Sequence, residues 1–412
     1  MNEISTSGAG RGKAAVIGSV GVLYFIAALE IVIMISPFAA FFYSVFNPLL
    51  LGLNQTSATR WLTAFFLPHM IVPSTTMLLA IRVSGSVLFI GGAVMFLVCA
   101  VQVYLGKLLK WQVATRGFYA LIRHPQYSGL ALAGLGLTIL WPRFLTLMFL
   151  SVMLLLYYLL AKDEERRMLR RYGETYEAYR QRTGMFWPRL NRKPVAIRPL
   201  RLSVALALLL VLIGGAAGTG FWLRAYTVHH LPLQTVGSVD VLPINPGDTS
   251  EVKSLVESAM ADSTVVEQLR SLEVSDSTRI LVYLVPVDYV MQGMIANTGE
   301  EWKLFQHHQT MSMIADYILH PIGHLQGGHM HHAGMVMQHG PEMYASAMMQ
   351  RRLIFLELRG LRPLMTVDSD FGINNQRIPH FFVDVHLHTG EVMKVQGTPH
   401  GTGWGDVPTP VF

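Results

Sequence analysis

Apolar residues fall in long unbroken runs over the first half of the chain and in short, interrupted ones over the second. The long runs are Ala14–Phe46, Trp61–Ala80, Val83–Leu105, Tyr127–Leu140, Phe144–Ala161 and Leu202–Leu223. A helix needs roughly 20 apolar residues, at ~1.5 Å each, to cross the hydrocarbon core of a bilayer. Ala14–Phe46, Val83–Leu105 and Leu202–Leu223 meet that length, and the two runs between residues 127 and 161 sit near its lower limit. Trp141-Pro142-Arg143 separates those two and reads as a turn. Two spans joined by a tight turn return the chain to the side it left. Arg123 and His124 at the start therefore face Glu164 and Glu165 at the end, across adjacent helices at one membrane boundary. Trp61–Ala80 carries Pro68 and Pro73 with His69 between them, and is expected to be re-entrant or interfacial rather than a span.

The second half reads differently. Helices are expected at Ser250–Leu272, Trp302–Leu319 and Glu342–Leu358, the last bracketed by Pro341 and Gly360. Arg279–Val287 is rich in β-formers, and Phe382–His388 and Glu391–Val395 flank Thr389-Gly390 as a hairpin would. The expected fold class is an all-α integral membrane helical bundle of about five spans over residues 1–225, followed by a soluble α+β domain over residues 226–412.

Composition sharpens this division. Of 412 residues, 51% are hydrophobic and only 14% charged, against about 25% in soluble domains. Mean hydropathy is +0.38. Residues 226–412 hold 10 Lys/Arg and 19 Asp/Glu, while the first 225 hold 22 and 7. The net +6 is thus a basic membrane half joined to an acidic one, and no nucleic-acid partner is needed to explain it. Basic residues gather at 107–123 and, most densely, at 162–201; such loops face the cytoplasm. The N-terminus is then cytoplasmic and residues 226–412 periplasmic or extracellular, the expected setting being a bacterial inner membrane. Ala14–Phe46 is longer than a signal-peptide core and has no clear cleavage site, so it is expected to remain uncleaved. Glu30 lies within it, an ionisable group at membrane depth. The one cysteine, Cys99, excludes a disulfide framework. Gly85, Gly91 and Gly92 permit close helix packing.

The boundary of the hairpin carries the chemistry. Pro125 suits a first helical turn, which puts Arg123 and His124 at the positive helix end. Tyr127 points from that turn, and Gly129 leaves room beside it. Past Glu164 and Glu165, Tyr172, Tyr176 and Tyr179 share one face of a continuing amphipathic helix. Such a pocket offers carboxylates to an ammonium group and to ribose hydroxyls, aromatic rings to adenine and to a sulfonium, and Arg and His to a carboxylate. S-adenosylmethionine carries all of these groups, and methyl transfer from it requires chiefly alignment and exclusion of water. Arg and Glu at span ends are also common anchors, and Arg123–Glu165 is equally readable as a plain interhelical ion pair.

Arg-His-Pro-x-Tyr-x-Gly from Arg123, an apolar hairpin, Glu164-Glu165, then Tyr172-Gly-x-x-Tyr176-x-x-Tyr179 resembles the isoprenylcysteine carboxyl methyltransferase and phospholipid methyltransferase superfamily, which includes NnrU-like and thiol methyltransferases. The resemblance covers about Val83–Leu190 and leaves residues 226–412 unassigned. It implies that His124, Tyr127, Gly129, Glu164, Glu165 and Tyr176 bind S-adenosylmethionine and that Arg123 and Glu165 serve catalysis. Arg182-Thr-Gly-Met-Phe-Trp-Pro-Arg189 departs from the Val-Pro-rich ending common in isoprenylcysteine enzymes, which bears on the substrate rather than the reaction. Membrane lipids and a lipophilic or small thiol or carboxylate methyl acceptor are the expected partners.

The acidic half contains a His/Met-rich tract. His320, His324, His329, His331 and His332, with Met330, Met335 and Met337, combine imidazole and thioether, a donor set for copper, or for zinc through imidazole alone. Asp384, His386 and His388 form a second candidate cluster on one strand face. Methionines at helical spacing are more often core, and alternating polar residues on a strand are more often its wet face. A non-catalytic membrane protein whose outer domain binds or senses a transition metal is the alternative reading.

Overall fold

The computed structural model describes residues 50–109, 115–189, 201–272, 278–299, 349–360 and 370–401. The expected span Ala14–Phe46, Glu30, the helix at Trp302–Leu319 and His320–His332 lie outside these residues.

Among the described residues the first part has four long helices: α1 (Thr76–Leu108), α2 (Pro125–Leu140), α3 (Phe144–Arg182) and α4 (Leu202–His229). The stretches Thr76–Gly106, Phe144–Arg182 and Leu202–His229 are long and apolar enough to cross a membrane. Helix α2 has 16 residues, about 24 Å of rise, and pairs with α1 over its whole length. The outward faces of α1 and α4 stay exposed and apolar, with Val87, Ile90, Val94 and Leu97 on one and Leu206, Leu210 and Val211 on the other. Surfaces of that kind are suited to lipid.

Small residues bring α1 and α2 together in antiparallel contact. A Cβ on Gly129 would lie 2.8 Å from the Phe96 nitrogen and 2.9 Å from the Gly92 oxygen, and one on Gly85 would meet Ile139 Cγ2 at 2.7 Å. Gly85 and Gly92 therefore serve close packing as expected, whereas Gly91 faces open space.

Residues 61–75 do not form a span. A 3-10 turn at Trp61–Thr63 gives way to an irregular segment that crosses the end of the bundle beside the α2–α3 turn. The Phe66 N–H donates to the Pro142 oxygen at 2.8 Å and the Phe144 N–H to the Ala64 oxygen at 3.0 Å. The helical pattern resumes at Thr76, so the end of the Trp61–Ala80 run belongs to α1.

The second part is a six-stranded sheet in the order β1-β2-β3-β4-β5-β6. The strands are β1 (Gln234–Val236), β2 (Val239–Pro243), β3 (Thr278–Pro286), β4 (Gln350–Arg359), β5 (Gln376–His386) and β6 (Val392–Gly397). Only β2 and β3 run parallel, joined through α5 (Val252–Ala261) and α6 (Ser263–Arg270). These two helices cover one face of the sheet, with Leu255, Val256 and Val265 against Val282, Phe355 and Val383. The expected single helix Ser250–Leu272 is broken at Asp262, whose extended backbone and side chain cap the second helix through the N–H groups of Thr264 and Val265. A hairpin forms around Thr389-Gly390, with Gly390 at φ 69°, but its connection is longer than the two residues expected, because β5 ends at His386 and β6 begins at Val392.

The helix expected at Glu342–Leu358 is a correction: from Gln350 onward the chain is strand β4. Both faces of that strand are buried, so Leu353–Leu358 is apolar almost without alternation, and a continuous apolar run does not distinguish a strand from a helix.

The second face of the sheet rests on the membrane helices. Leu281, Tyr283, Val285, Ile354 and Phe382 share one buried cluster with Phe65, Met70, Ile71, Trp141, Leu145 and Val228. Polar contacts tie the same junction. The Val72 N–H donates to the Ile244 oxygen at 2.9 Å, the Tyr289 hydroxyl to the Met70 oxygen at 3.3 Å, and Arg224 to the carbonyls of Phe65 and Phe371.

Candidate active site

The site lies at the end of the bundle away from the sheet, where α2 begins and α3 leaves its apolar stretch. Pro125 occupies the first turn of α2, where a missing N–H is harmless, and His124 precedes it. Helix α3 runs on from Glu164 and Glu165 to Tyr172 and then breaks at Gly173, at φ 51° and ψ −123°. An L-residue is strained in that region. The break replaces the expected unbroken tyrosine face. Tyr172 stays on the outgoing arm with Arg171 over its ring at 5.4 Å. Tyr176 and Tyr179 lie on the returning arm, their rings 5.9 Å apart, with Tyr176 buried.

The returning arm is stitched to the start of α2. The Tyr179 hydroxyl donates to the Tyr119 oxygen at 2.7 Å. The Arg123 N–H donates to the Gly184 oxygen at 2.9 Å and the His124 N–H to the Met185 oxygen at 3.1 Å. The Arg123 side chain completes the closure. Its Nε donates to Glu165 Oε1 at 2.5 Å, and its guanidinium also donates to the carbonyls of Arg180 (3.2 Å) and Thr183. With the Arg123 and Glu165 side chains 10% and 4% exposed, this is a buried, charge-assisted pair that fixes both helices and the arm.

His124 sits between the carboxylates. Its Nδ1 lies 3.5 Å from Glu164 Oε2 and its Nε2 3.5 Å from Glu165 Oε1. Nε2 is buried and makes no hydrogen bond of good geometry. Burial works against an imidazolium here, but the two carboxylates outweigh it and hold His124 above its ordinary pKa. The His124 ring stacks on Tyr127 at 5.8 Å, and Tyr127 on Tyr157 at 5.4 Å. Phe186, from beyond the returning arm, reaches His124 at 5.9 Å.

The structure thus brings together Arg123, His124, Tyr127, Glu164 and Glu165, and places Tyr176 in the arm that closes over them. Gly129 serves a different surface, the contact with Gly92 and Phe96 of α1. Sequence reasoning missed Thr183, Gly184 and Phe186. Their one signal was the departure at Arg182–Arg189, which places a glycine where a Cβ would collide with the backbone of Trp187. Chemically, Glu165 and Arg123 are engaged with each other. Glu164, its side chain 46% exposed, is the carboxylate open to a ligand.

The proposed outer cluster at Asp384, His386 and His388 does not assemble. Asp384 is buried and takes two hydrogen bonds from Arg352, at 2.7 and 2.8 Å, and Arg352 also donates to Gln292 at 2.8 Å. A carboxylate held this way is occupied by a cation already present. Among the described residues no group of three or more His, Cys, Asp or Glu side chains is placed to hold a metal.

A half-exposed carboxylate, an imidazole held between two carboxylates and a stack of aromatic rings thus meet where α2 begins and α3 leaves its apolar stretch. Residues 75–175, about a quarter of the chain, match the family model described as phospholipid methyltransferase. The match runs from the start of α1 to just past Gly173, encloses Arg123, His124, Glu164 and Glu165, and agrees with the superfamily resemblance of the motif. Together with the apolar helices it points to a membrane methyltransferase as the class of protein. No curated protein and no solved structure matches the chain.

Proposed function

We propose that the chain is an integral-membrane, S-adenosylmethionine-dependent methyltransferase acting on a lipophilic or small thiol or carboxylate acceptor at the cytoplasmic face. The observation that carries this reading is the half-exposed Glu164 carboxylate beside His124 and the Tyr127 ring, inside the segment that matches the family. S-adenosylmethionine supplies an electrophilic methyl group on a sulfonium and needs no metal to transfer it. Glu164 takes an ammonium or hydroxyl group. The Tyr127–Tyr157 stack provides an aromatic face, and His124, between Glu164 and Glu165, orients the open carboxylate. Arg123 and Glu165 act one step back, as positioning residues that keep the returning arm closed and water out.

Glu164 and Glu165 favour the imidazolium form of His124, which makes it a poor proton acceptor. The site therefore favours an acceptor that arrives as an anion, a carboxylate or an acidic thiol, over an amine. The density of arginines beyond Glu165 supports a cytoplasmic setting for this face.

The test is calorimetric titration of detergent-purified protein with S-adenosylmethionine, followed by labelled methyl transfer to thiols, prenylcysteine analogues and phospholipids. Glu164→Ala and His124→Ala are each expected to weaken binding by one to two decades, about 1.5–3 kcal/mol for a charged hydrogen bond. A folded wild-type protein that takes up no cofactor sinks the proposal.

A further inference from the structure

The end of the bundle that carries the site is not finished in polar side chains. Trp187 is 80% exposed and Leu121 56%, and Phe118 is also open. All three lie at the level where α2 starts. Phe118 and Leu121 lie in the turn that leads to Pro125, the Leu121 carbonyl accepting the Gly184 N–H, and Trp187 follows Met185, whose carbonyl accepts the His124 N–H. Just beyond this apolar collar are exposed arginines. Arg166 and Arg167 pair with Asp163, and the buried Arg180 pairs with Glu177. Arg170, Arg171 and Arg182 are exposed and have no carboxylate partner among the described residues. Arg170 and Arg171 stand about 8 Å further along α3 than Glu165, and Arg182 adjoins Thr183 at the close of the returning arm.

Apolar and aromatic groups at one level, with Arg182 beside them and Arg170 and Arg171 one to two turns further along α3, are the order of groups met on passing from acyl chains into headgroups. A water-facing end would not keep Trp187 and Leu121 bare. An acidic protein partner would not explain why the apolar collar lies level with the start of a membrane helix. We propose that this end of the protein docks on anionic phospholipid headgroups of its own leaflet. Lipid phosphates meet Arg170, Arg171 and Arg182, while Trp187, Leu121 and Phe118 lie among the upper acyl chains. The half-exposed Glu164 carboxylate then faces a layer enriched in anionic lipid. This surface stands independently of the methyl-transfer reading.

The full chain, reconstituted in phosphatidylcholine vesicles, tests it by fluorescence quenching. Acyl-brominated phosphatidylglycerol and acyl-brominated phosphatidylcholine are compared over a range of mole fractions. The Trp187 signal is taken as the difference between wild type and Trp187→Phe, and the remaining tryptophans report that each variant is folded. Brominated phosphatidylglycerol is expected to quench Trp187 at about a tenfold lower mole fraction. This figure follows from roughly fivefold per arginine at an anionic surface, discounted for screening. Arg170→Gln/Arg171→Gln/Arg182→Gln should remove the preference while quenching by both lipids persists. Equal potency of the two lipids on the wild-type protein, or a preference that survives the triple substitution, overturns the proposal. A Trp187 signal untouched by either lipid overturns it as well, and marks the surface as facing water or protein.

Discussion

Two adjacent glutamates in the site are predicted to fail in opposite ways. Glu165→Ala removes the carboxylate from a pair whose members are 4% and 10% exposed and leaves Arg123 with backbone carbonyls alone. Breaking a buried ion pair costs about 3–5 kcal/mol. The two remaining carbonyl acceptors put Glu165→Ala near the lower end, at about 3 kcal/mol. Glu164 is 46% exposed and 3.5 Å from His124, so Glu164→Ala should cost about 0–1 kcal/mol in stability. The assay is thermal unfolding in detergent, with and without S-adenosylmethionine. Glu165→Ala should lower the midpoint by roughly 3–4 °C. Glu164→Ala should unfold near the wild-type midpoint but lose most of the upward shift that cofactor confers. An Arg123→Gln/Glu165→Gln cycle should recover part of the loss, because it leaves no stranded charge. Wild-type stability in Glu165→Ala, or equal destabilisation by the two alanine variants, would refute the division of roles.

Four further outcomes follow from the geometry. Gly92→Val should prevent α1 and α2 from closing, since its Cβ would lie 2.5 Å from the Gly129 oxygen, whereas Gly91→Ala faces open space and should leave the yield of folded, monodisperse protein unchanged. Asp384→Ala should cost about 3–5 kcal/mol by removing the carboxylate from Arg352, which is 1% exposed, measurable as a lowered unfolding midpoint. Burial opposes ionisation of Glu357, but hydrogen bonds from Arg359 and His380 outweigh it and hold its pKa below the ordinary value. Its contribution to stability is therefore complete above ~4.3 and lost as pH falls below that, and Glu357→Gln should flatten the unfolding midpoint between pH 6 and 3. His124 is shifted the other way, so its contribution is complete below ~6.5 and lost as pH rises through its elevated pKa; the midpoint of His124→Gln should lack that alkaline decline.

The hairpin was legible because every cue in it agreed: two apolar runs, a Trp-Pro-Arg turn, and proline at a first helical turn. Local consistency of this kind extends to the β5–β6 hairpin and to β3. The failures have identifiable physics. Gly173 sits in an otherwise helical pattern, and only the tertiary bonds from Arg123 and Tyr179 explain why the chain turns there. β4 reads as a helix because both of its faces are buried. Asp262 lies where an interrupted helix and a continuous one share the same spacing. For the site, the motif residues could be named from the sequence. Their division into a locked pair, Arg123 and Glu165, and an open carboxylate, Glu164, depends on burial, which spacing does not encode. The seating of the sheet on the helices had no local signature at all.

That seating sets an order of assembly. Met70, in the crossing segment, receives the Tyr289 hydroxyl from 219 residues further along, and Phe65 and Ile71 share a core with strands made equally late. Contacts of such sequence separation form slowly, and apolar surface waiting for them is prone to aggregation. During synthesis the segment between Arg60 and Pro73 must therefore wait, its apolar side chains uncovered, until α4 has inserted and β2 and β3 have been delivered beside it. Only four residues part His229 from Gln234, so α4 hands the nascent sheet directly to its seat. A chain severed between them would leave each half holding one side of a shared core. Lengthening this connection should slow maturation in the cell more than it weakens the finished protein.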